Sequence, residues 1–517
     1  MRTDSFQHGV GRSTLDSLWR DFDAREETLR AIVTERLAAK PAPALNEFIV
    51  ATYFFALRSW SLEHAAKEIS YHATSGTKDV VPGSLIEQCT GKLVGVDAWD
   101  NTGRLGLLHV AYPLKMFLQA DGHLTSTDLL HTAAGAIIFD VYENQDARLV
   151  ALQIPDAVLR TFPGPAHGPA GVRALTNWPS EAPMFGTILK PTAGITPQEV
   201  GALVQDVASC PLFCFVKEDE NLYPRLPYSP AAERTRQAVE AVRRVQVRRG
   251  GRGIIFSPHI TGAPNEMIET LHAVLEAGAT GVMFSESFAS GAVRMVREAT
   301  KHLPKPPTIY GHNAGIGVKT RSIFREVVDL LARLDGIDFR QTAPVRPGTP
   351  FLKPYGAEWE ASERALSMPL AECREFATPG PDRSLPGSVV EVKRLDTDRH
   401  GLPVANRQHI RPTTIVRAGA LDQGNIGLNL ADAERRGISA GVMFLAGSAI
   451  NSIKDATGKP NPKLGAEAME QAIEVHRSGT LRDVPAERHA HELARLAEAG
   501  KLAALREALR QRYPELA

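Results

Sequence analysis

The 517-residue sequence has few cysteines, and it has no excess of charge of either sign. Four cysteines occur, namely Cys89, Cys210, Cys214 and Cys373. They are too few for the disulfide framework of a small secreted protein. Cys210 and Cys214 flank an apolar segment, which predicts reduced side chains in a core. The 59 basic residues balance 59 acidic ones, and this balance argues against nucleic acid as a partner.

Long apolar runs and several common catalytic motifs are also missing. No run of about 18 apolar residues occurs, which is the length that a membrane-spanning helix needs. The start, MRTDSFQHGVGRST, lacks the apolar core of a secretory signal. We therefore expect a cytoplasmic protein that does not enter membranes. The absence of GxxxxGK[ST], HExxH and GxSxG leaves nucleotide triphosphatase, zinc protease and serine hydrolase functions without support.

The length predicts more than one domain. Changes in composition divide the chain into an N-terminal extension with one helix (1–44), a smaller α+β domain (45–165), a catalytic barrel (166–480) and a helical tail (481–517). In the α+β domain, which we expect to be ferredoxin-like, a helix is predicted at SLEHAAKEISYHA (61–73). Strands are predicted at NEFIVATYFFAL (46–57), GRLGLLHVAYPL (103–114) and AAGAIIFDVYE (133–143).

The barrel prediction depends on eight short apolar runs, most of them separated by helical patterns. The runs cover residues 185–191, 213–220, 253–261, 281–287, 308–315, 336–344, 413–419 and 441–447. Buried strands that alternate with helices are typical of a (β/α)₈ TIM barrel. The segment 355–412, rich in proline and charge, interrupts this repeat before the seventh strand. In such barrels the reactive groups lie at the C-terminal ends of the strands.

The second of these runs ends in the sequence FVKEDEN (215–221). Lys217 and Asp219 are two residues apart on a strand and therefore point to the same side, and Glu220 follows the strand end. Two carboxylates in a dry barrel mouth repel each other unless a cation neutralises them, and oxygen ligands favour Mg²⁺. Burial would let Lys217 become neutral and add CO₂, giving a carbamate as third ligand. A Lys217–Asp219 salt bridge is the alternative.

Several motifs, in this order, resemble the large chain of RuBisCO and especially the RuBisCO-like proteins (form IV type). They are YHATSGT (71–77), RTFPGPAHG (160–168), GTILKPTAGIT (186–196), FVKEDEN, GHNAGIG (311–317) and GTPFLKPYG (348–356). The resemblance implies that Lys217, as a carbamate, binds Mg²⁺ together with Asp219 and Glu220. It implies catalytic roles for Lys190, Lys217, His312 and Lys353. It implies contacts with substrate or its phosphate for Thr77, Asn221, Arg346, Gly419, Gly447 and Ser448.

The sequence departs from the carboxylases of this family at several positions. Lysine, arginine and glutamate are expected where this sequence has Thr192, Asn313 and His72, in that order. Asparagine is expected at Ala136, and glycines are expected at Leu445 and Ala446. The missing groups bind CO₂ or steer the carboxylated intermediate in the carboxylases. The resemblance therefore implies an enolase or isomerase that acts on a phosphorylated sugar-like ketone, and not a working ribulose bisphosphate carboxylase. A decarboxylase of an oxo-sugar-acid phosphate and a non-catalytic binding or assembly protein are the alternatives.

The resemblance also implies how the chain assembles. The active unit would be a homodimer or a higher homo-oligomer in which the N-terminal domain of one chain covers the barrel mouth of another. Thr77 would then act in the partner's active site.

Overall fold

The computed structural model describes residues 12–43, 45–120, 122–159, 161–180, 182–347, 355–367 and 410–516. The described chain divides into two compact units, of which the first contains residues 12–117 and 132–155 and the second most of the remainder. Each helix in these ranges is too short or too polar to span a bilayer. The predicted domain boundaries stay predictions.

The first unit is built on a four-stranded antiparallel sheet. Its strands are β1 (Phe48–Leu57), β2 (Lys92–Ala98), β3 (Leu105–Pro113) and β4 (Asn144–Gln153), in the order β2-β3-β1-β4. The central strand β1 is rich in β-branched and aromatic residues and is almost entirely buried, as expected for a strand covered on both faces. Helices cover Arg12–Ala39 and Leu62–His72. The predicted α+β fold is thereby confirmed.

One predicted strand of this unit is wrong. Residues 133–143 contain a short helix, Ala136–Phe139, and β4 begins only at Asn144. The side chain of Ile138 is buried, whereas Tyr142 is 81% exposed, so the apolar run does not lie in a covered sheet. The Asn144 amide donates to the Ile138 carbonyl at 2.5 Å and closes the turn before β4. Apolar content alone could not separate this helical turn from a strand, because both bury such residues.

The second unit contains a closed barrel of eight parallel strands. In chain order its strands, with a short hairpin (β7 and β8) after the second, are β5 (Met184–Ile188), β6 (Phe215–Lys217), β7 (Arg225–Leu226), β8 (Ser229–Pro230), β9 (Ile255–Ser257), β10 (Gly281–Phe284), β11 (Thr308–Gly311), β12 (Phe339–Thr342), β13 (Thr414–Ala418) and β14 (Val442–Ala446). Hydrogen bonds link them in the order β10-β11-β12-β13-β14-β5-β6-β9. A parallel bridge between His259 and Met283 joins β9 to β10. All eight predicted strands and the TIM-barrel fold are confirmed.

Helices connect and follow the barrel strands, as the sequence pattern predicts. They cover Gly168–Thr176, Pro197–Ala208, Ala231–Gln246, Pro264–Glu276, Ala292–Thr300, Arg325–Asp335, Ala357–Ser367, Ile426–Arg435, Pro462–Arg477, His489–Ala499 and Ala503–Arg512. The helix after β5 shows why they begin where they do. Thr196 accepts a hydrogen bond from the Glu199 N–H and the Glu199 carboxylate accepts one in return, which satisfies N–H groups that the first turn leaves free.

Side-chain alternation along the strands carries the reactive groups to the barrel mouth. Phe215, Ile255, Met283, Tyr310 and Phe339 form one buried cluster together with residues of the other strands. Their neighbours along the chain, such as Val216 and Phe256, pack in a different cluster with the surrounding helices. Residues two positions further along therefore point to the interior side, at the C-terminal ends of the strands.

His109 of the first unit gives a prediction for the pH dependence of stability. Burial lowers the pKa of His109 to about 4 from 6.5. Between these values the unfolded chain binds a proton that the folded chain does not, so stability is full above pH 6.5 and is lost as the pH falls toward 4. We expect the titration of His109 to lower the free energy of unfolding by about 3 kcal/mol as the pH falls from 6.5 to 4.

The measurement is denaturant unfolding at a series of pH values for the wild type and for His109→Gln. The pH profile of the variant should be flatter than that of the wild type by the stated amount. His64→Gln, which replaces an exposed histidine of the same unit, serves as the control and should keep the wild-type profile. Equal slopes for all three proteins would contradict the assignment.

Candidate active site at the barrel mouth

Lys217 is the last residue of β6, and its side chain is completely buried (0% exposed). Its Nζ donates to the carbonyl of Glu218 at 2.8 Å and lies 5.3 Å from the centre of the Tyr310 ring. Burial lowers the pKa of Lys217 to about 8, although Glu220 and Asp219 act in the opposite direction. With this pKa about a tenth of the amines are neutral at pH 7. A neutral amine is the form that can add CO₂.

Asp219 lies on the same side of the chain and binds the side chain of Lys190, from just beyond the end of β5. The Lys190 Nζ is 2.5 Å from Asp219 Oδ2. The backbone N–H and the side-chain amide of Asn221 donate to Asp219 Oδ1 at 3.0 and 3.1 Å. Burial raises the pKa of Asp219, but the hydrogen bonds from Lys190 and Asn221 outweigh it and lower the pKa overall. Asp219 is thus an ionised carboxylate, and the cation on it is Lys190 rather than Lys217.

Glu220 meets His312, which follows β11, across the barrel mouth. His312 Nε2 lies 3.2 Å from Glu220 Oε2. Its Nδ1 accepts a hydrogen bond from the Ala314 N–H at 3.1 Å. Burial, with a further contribution from Lys217, lowers the pKa of His312 to about 2, so the ring is neutral and its proton lies on Nε2. His312 therefore donates to the Glu220 carboxylate and holds it in position.

The remaining carboxylate of the motif, Glu218, points away from the mouth. It forms a two-point ion pair with Arg234, with Nε–Oε1 at 2.7 Å and Nη2–Oε2 at 2.8 Å, and both side chains are fully buried. Glu218 Oε2 also accepts from the His259 backbone N–H at 2.9 Å. No role for this pair was predicted from the sequence. Alternation places Glu218 opposite its neighbours, but the sequence pattern does not show which residue of the following helix it meets.

Four of the residues predicted to contact the substrate or its phosphate follow β12, β13 and β14. Gly419 follows β13 with a φ of +93°, a conformation that favours glycine. A Cβ on Gly447, after β14, would lie 3.6 Å from Lys190 Cε, so this glycine borders the lysine. Ser448 Oγ accepts from Arg512 Nη1 at 3.4 Å. Arg346 is buried and within electrostatic range of Asp422. The phosphate-binding roles of these residues stay predictions.

The two remaining predicted site residues do not belong to the described part of the barrel unit. Thr77 belongs to the first unit, where its Oγ1 accepts from the Asp79 N–H at 3.1 Å. Lys353 lies outside the described residues. Their roles also stay predictions.

The donor set fits a magnesium ion only if Lys217 contributes an oxygen. Within the described ranges, no group of three or more His, Cys, Asp and Glu side chains is placed to hold a metal ion. Asp219 and Glu220 supply two carboxylates, and a carbamate on the buried amine of Lys217 would supply the third oxygen ligand. The oxygen-only set would suit Mg²⁺.

Comparison with known proteins agrees with this architecture. Residues 172–348 match the family model of the ribulose bisphosphate carboxylase large chain, catalytic domain. The ribulose bisphosphate carboxylase of Archaeoglobus fulgidus is 26% identical over 457 residues, which are 87% of this chain and 92% of that protein. The 3-oxo-isoapionate-4-phosphate transcarboxylase/hydrolase of Xanthobacter autotrophicus is 34% identical over 211 residues, which are 41% of this chain and 48% of that protein.

Solved structures show the same fold. The dimeric archaeal RuBisCO from Hyperthermus butylicus has a TM-score of 0.67 and 21% identity, over 91% of this chain and 96% of that one. RuBisCO-like proteins are also among the matches. Residues 172–348 are thus similar to the catalytic domain of the RuBisCO large chain, and the two relatives named above are enzymes.

Proposed function

We propose that this chain is a RuBisCO-like enzyme that enolises a phosphorylated sugar-like ketone at a magnesium ion and does not carboxylate ribulose bisphosphate. The observation that carries the proposal is the convergence of two lysines and two carboxylates at the ends of β5 and β6. Lys217 is fully buried there with a lowered pKa, and Lys190 contacts Asp219. Such perturbed groups in a barrel mouth are typical of a catalytic site.

Lys217, as its carbamate, would hold the metal together with Asp219 and Glu220. A bound magnesium ion supplies Lewis-acid stabilisation of the negative charge that forms on the substrate oxygen. His312 fixes Glu220 through the hydrogen bond from Nε2, and this contact would orient the carboxylate toward a bound metal ion.

Lys190 is the proposed proton acceptor. Its amine, on a side chain that is 31% exposed, must first leave Asp219 and lose its own proton to water. Its Nζ then accepts the proton from the carbon beside the substrate carbonyl, and the electron pair of the broken C–H bond moves to the carbonyl oxygen. Gly447 lies near Lys190 Cε, so the end of β14 borders the proposed proton acceptor.

Decarboxylation or carboxyl transfer on a related substrate is the second candidate. The observation that favours it is the name of the 34% identical relative, a 3-oxo-isoapionate-4-phosphate transcarboxylase/hydrolase. The same enolate would form there by loss of CO₂ instead of a proton, with the electron pair of the broken C–C bond moving to the carbonyl oxygen. From the resemblance of the sequence motifs to the RuBisCO large chain, we also propose a cytoplasmic homo-oligomer. In it, Thr77 of one chain would complete the active site of another chain.

Deuterium uptake from D₂O into a panel of ketose phosphates, with magnesium and bicarbonate present, tests the proposal. The wild type should exchange the hydrogen beside the carbonyl. Lys190→Gln should slow this exchange about 100-fold, because it removes the proton acceptor. Lys305→Gln, at an exposed lysine, should leave the rate unchanged.

The same assay separates the alternatives. Release of CO₂ from oxo-acid phosphates without exchange into any ketose phosphate would favour the decarboxylase. Neither activity, over the whole panel, would favour a barrel that has lost catalysis.

A further inference from the structure

His259 lies where the barrel closes, on the same side of its strand as the interior residues. It follows β9 by two residues, and its backbone forms the bridge to Met283 on β10. The Met283 N–H donates to the Pro258 carbonyl and the Ile260 N–H donates to the Met283 carbonyl, each at 2.9 Å. The His259 N–H donates to the buried Glu218. These bonds hold His259 in place at the barrel mouth.

The two ring nitrogens of His259 differ in their hydrogen bonding among the described residues. The residue is 1% exposed. Its Nδ1 lies 3.1 Å from the Leu222 carbonyl, and because a carbonyl only accepts, Nδ1 carries the proton. Burial lowers the pKa of His259 to about 4, so Nε2 carries a lone pair at neutral pH. In the described part of the chain, Nε2 has no hydrogen-bond partner. A buried acceptor without a partner is costly and rare in native proteins.

His259 lies among the titratable side chains of the barrel mouth. Lys217 and Asp219 lie within electrostatic range of His259, and His259 lies within range of His312. The corresponding acceptor of His312, its Nδ1, is already taken by the Ala314 N–H. Among these groups, Nε2 of His259 is thus the nitrogen left to accept a hydrogen bond from a ligand in the mouth.

We propose that His259 binds the substrate by accepting, at Nε2, a hydrogen bond from a hydroxyl group on the carbon chain. The inference rests on the proposed function of the same site and narrows the substrate to polyhydroxylated ketone phosphates. A molecule that lacks the matching hydroxyl would leave Nε2 buried and unpaired. Sites built to bind a hydroxyl reject the analogue without it for this reason.

Calorimetric binding with matched probes tests this proposal. The probes are xylulose 5-phosphate and ribulose 5-phosphate, each compared with analogues that lack one hydroxyl, in the presence of magnesium and bicarbonate. The wild type should bind one hydroxylated probe at least about tenfold more tightly than one of its deoxy analogues. His259→Phe, which keeps a ring but has no acceptor, should bring the ratio close to one. His259→Gln, which can present its side-chain oxygen, should restore part of the preference.

A measurement on the unaltered protein guards against misfolding of the variants. Nitrogen-15 NMR of the wild type should show a proton on Nδ1 of His259 and a shift of the Nε2 resonance when the hydroxylated probe is added, but not its deoxy analogue. Equal binding of both members of every pair, or no binding of any probe, overturns the proposal. So does a His259→Phe variant that folds and keeps the wild-type preference.

The outcome for His259 is separable from that for the proposed function. Lys190→Gln should lose deuterium exchange and yet keep the preference for the hydroxylated probe. A wild type that shows the preference but no exchange would reject enolisation and retain the role of His259. A wild type that exchanges deuterium but binds hydroxylated and deoxy probes equally would support enolisation and reject the role of His259.

Discussion

Replacing Lys217 with methionine is expected to reduce deuterium exchange into the substrate by at least about 10,000-fold. The variant would lose the whole metal site, and not only one side chain that assists the metal ion. Methionine keeps the length and the apolar stem of the side chain, so it fits the fully buried space. Without an amine no carbamate can form, and Asp219 and Glu220 alone supply two ligands. The exchange assay on ketose phosphates measures the loss.

A binding experiment without substrate checks the same claim. Magnesium together with bicarbonate should raise the thermal unfolding temperature of the wild type, because a ligand that binds only the folded state stabilises it. Lys217→Met should abolish this gain, whereas Lys305→Met at an exposed position should keep it. A wild type that gains nothing, or a Lys217→Met variant that gains as much as the wild type, would leave the proposed metal site without support.

Replacing Arg234 with methionine is expected to lower the free energy of unfolding of the barrel unit by about 3–5 kcal/mol. Arg234 and Glu218 are both fully buried and joined by two hydrogen bonds. Removing the guanidinium leaves a carboxylate in the interior without its counter-charge. Urea unfolding followed by circular dichroism measures the change.

Two further variants isolate the cause. Arg236→Met removes an exposed ion pair with Glu233 on the same helix, and such pairs contribute little. The double variant Arg234→Met/Glu218→Gln should recover part of the loss, because it removes the unpaired charge. A loss of similar size in Arg236→Met, or a double variant less stable than Arg234→Met, would contradict the explanation.

The sequence pattern was sufficient for the barrel and for the positions of the motif at the end of β6. Each apolar run is short, ends in polar or glycine residues and becomes a strand. Strand alternation also placed Lys217 and Asp219 on one side, because that period is a property of the extended backbone. The same reasoning failed at 133–143, where a helical turn buries Ile138. The apolar residues of that segment correctly predicted burial, but the predicted strand was wrong.

The kind of group at each strand end and the side to which it points could be predicted, since both follow from residue type and local backbone geometry. Which groups meet could not be predicted, because it depends on the folded barrel. Lys190 rather than Lys217 binds Asp219, and His312 supports Glu220. Within the described chain, one nitrogen of His259 has no hydrogen-bond partner. These partners come from different strands, and closure of the barrel alone sets the distances between them.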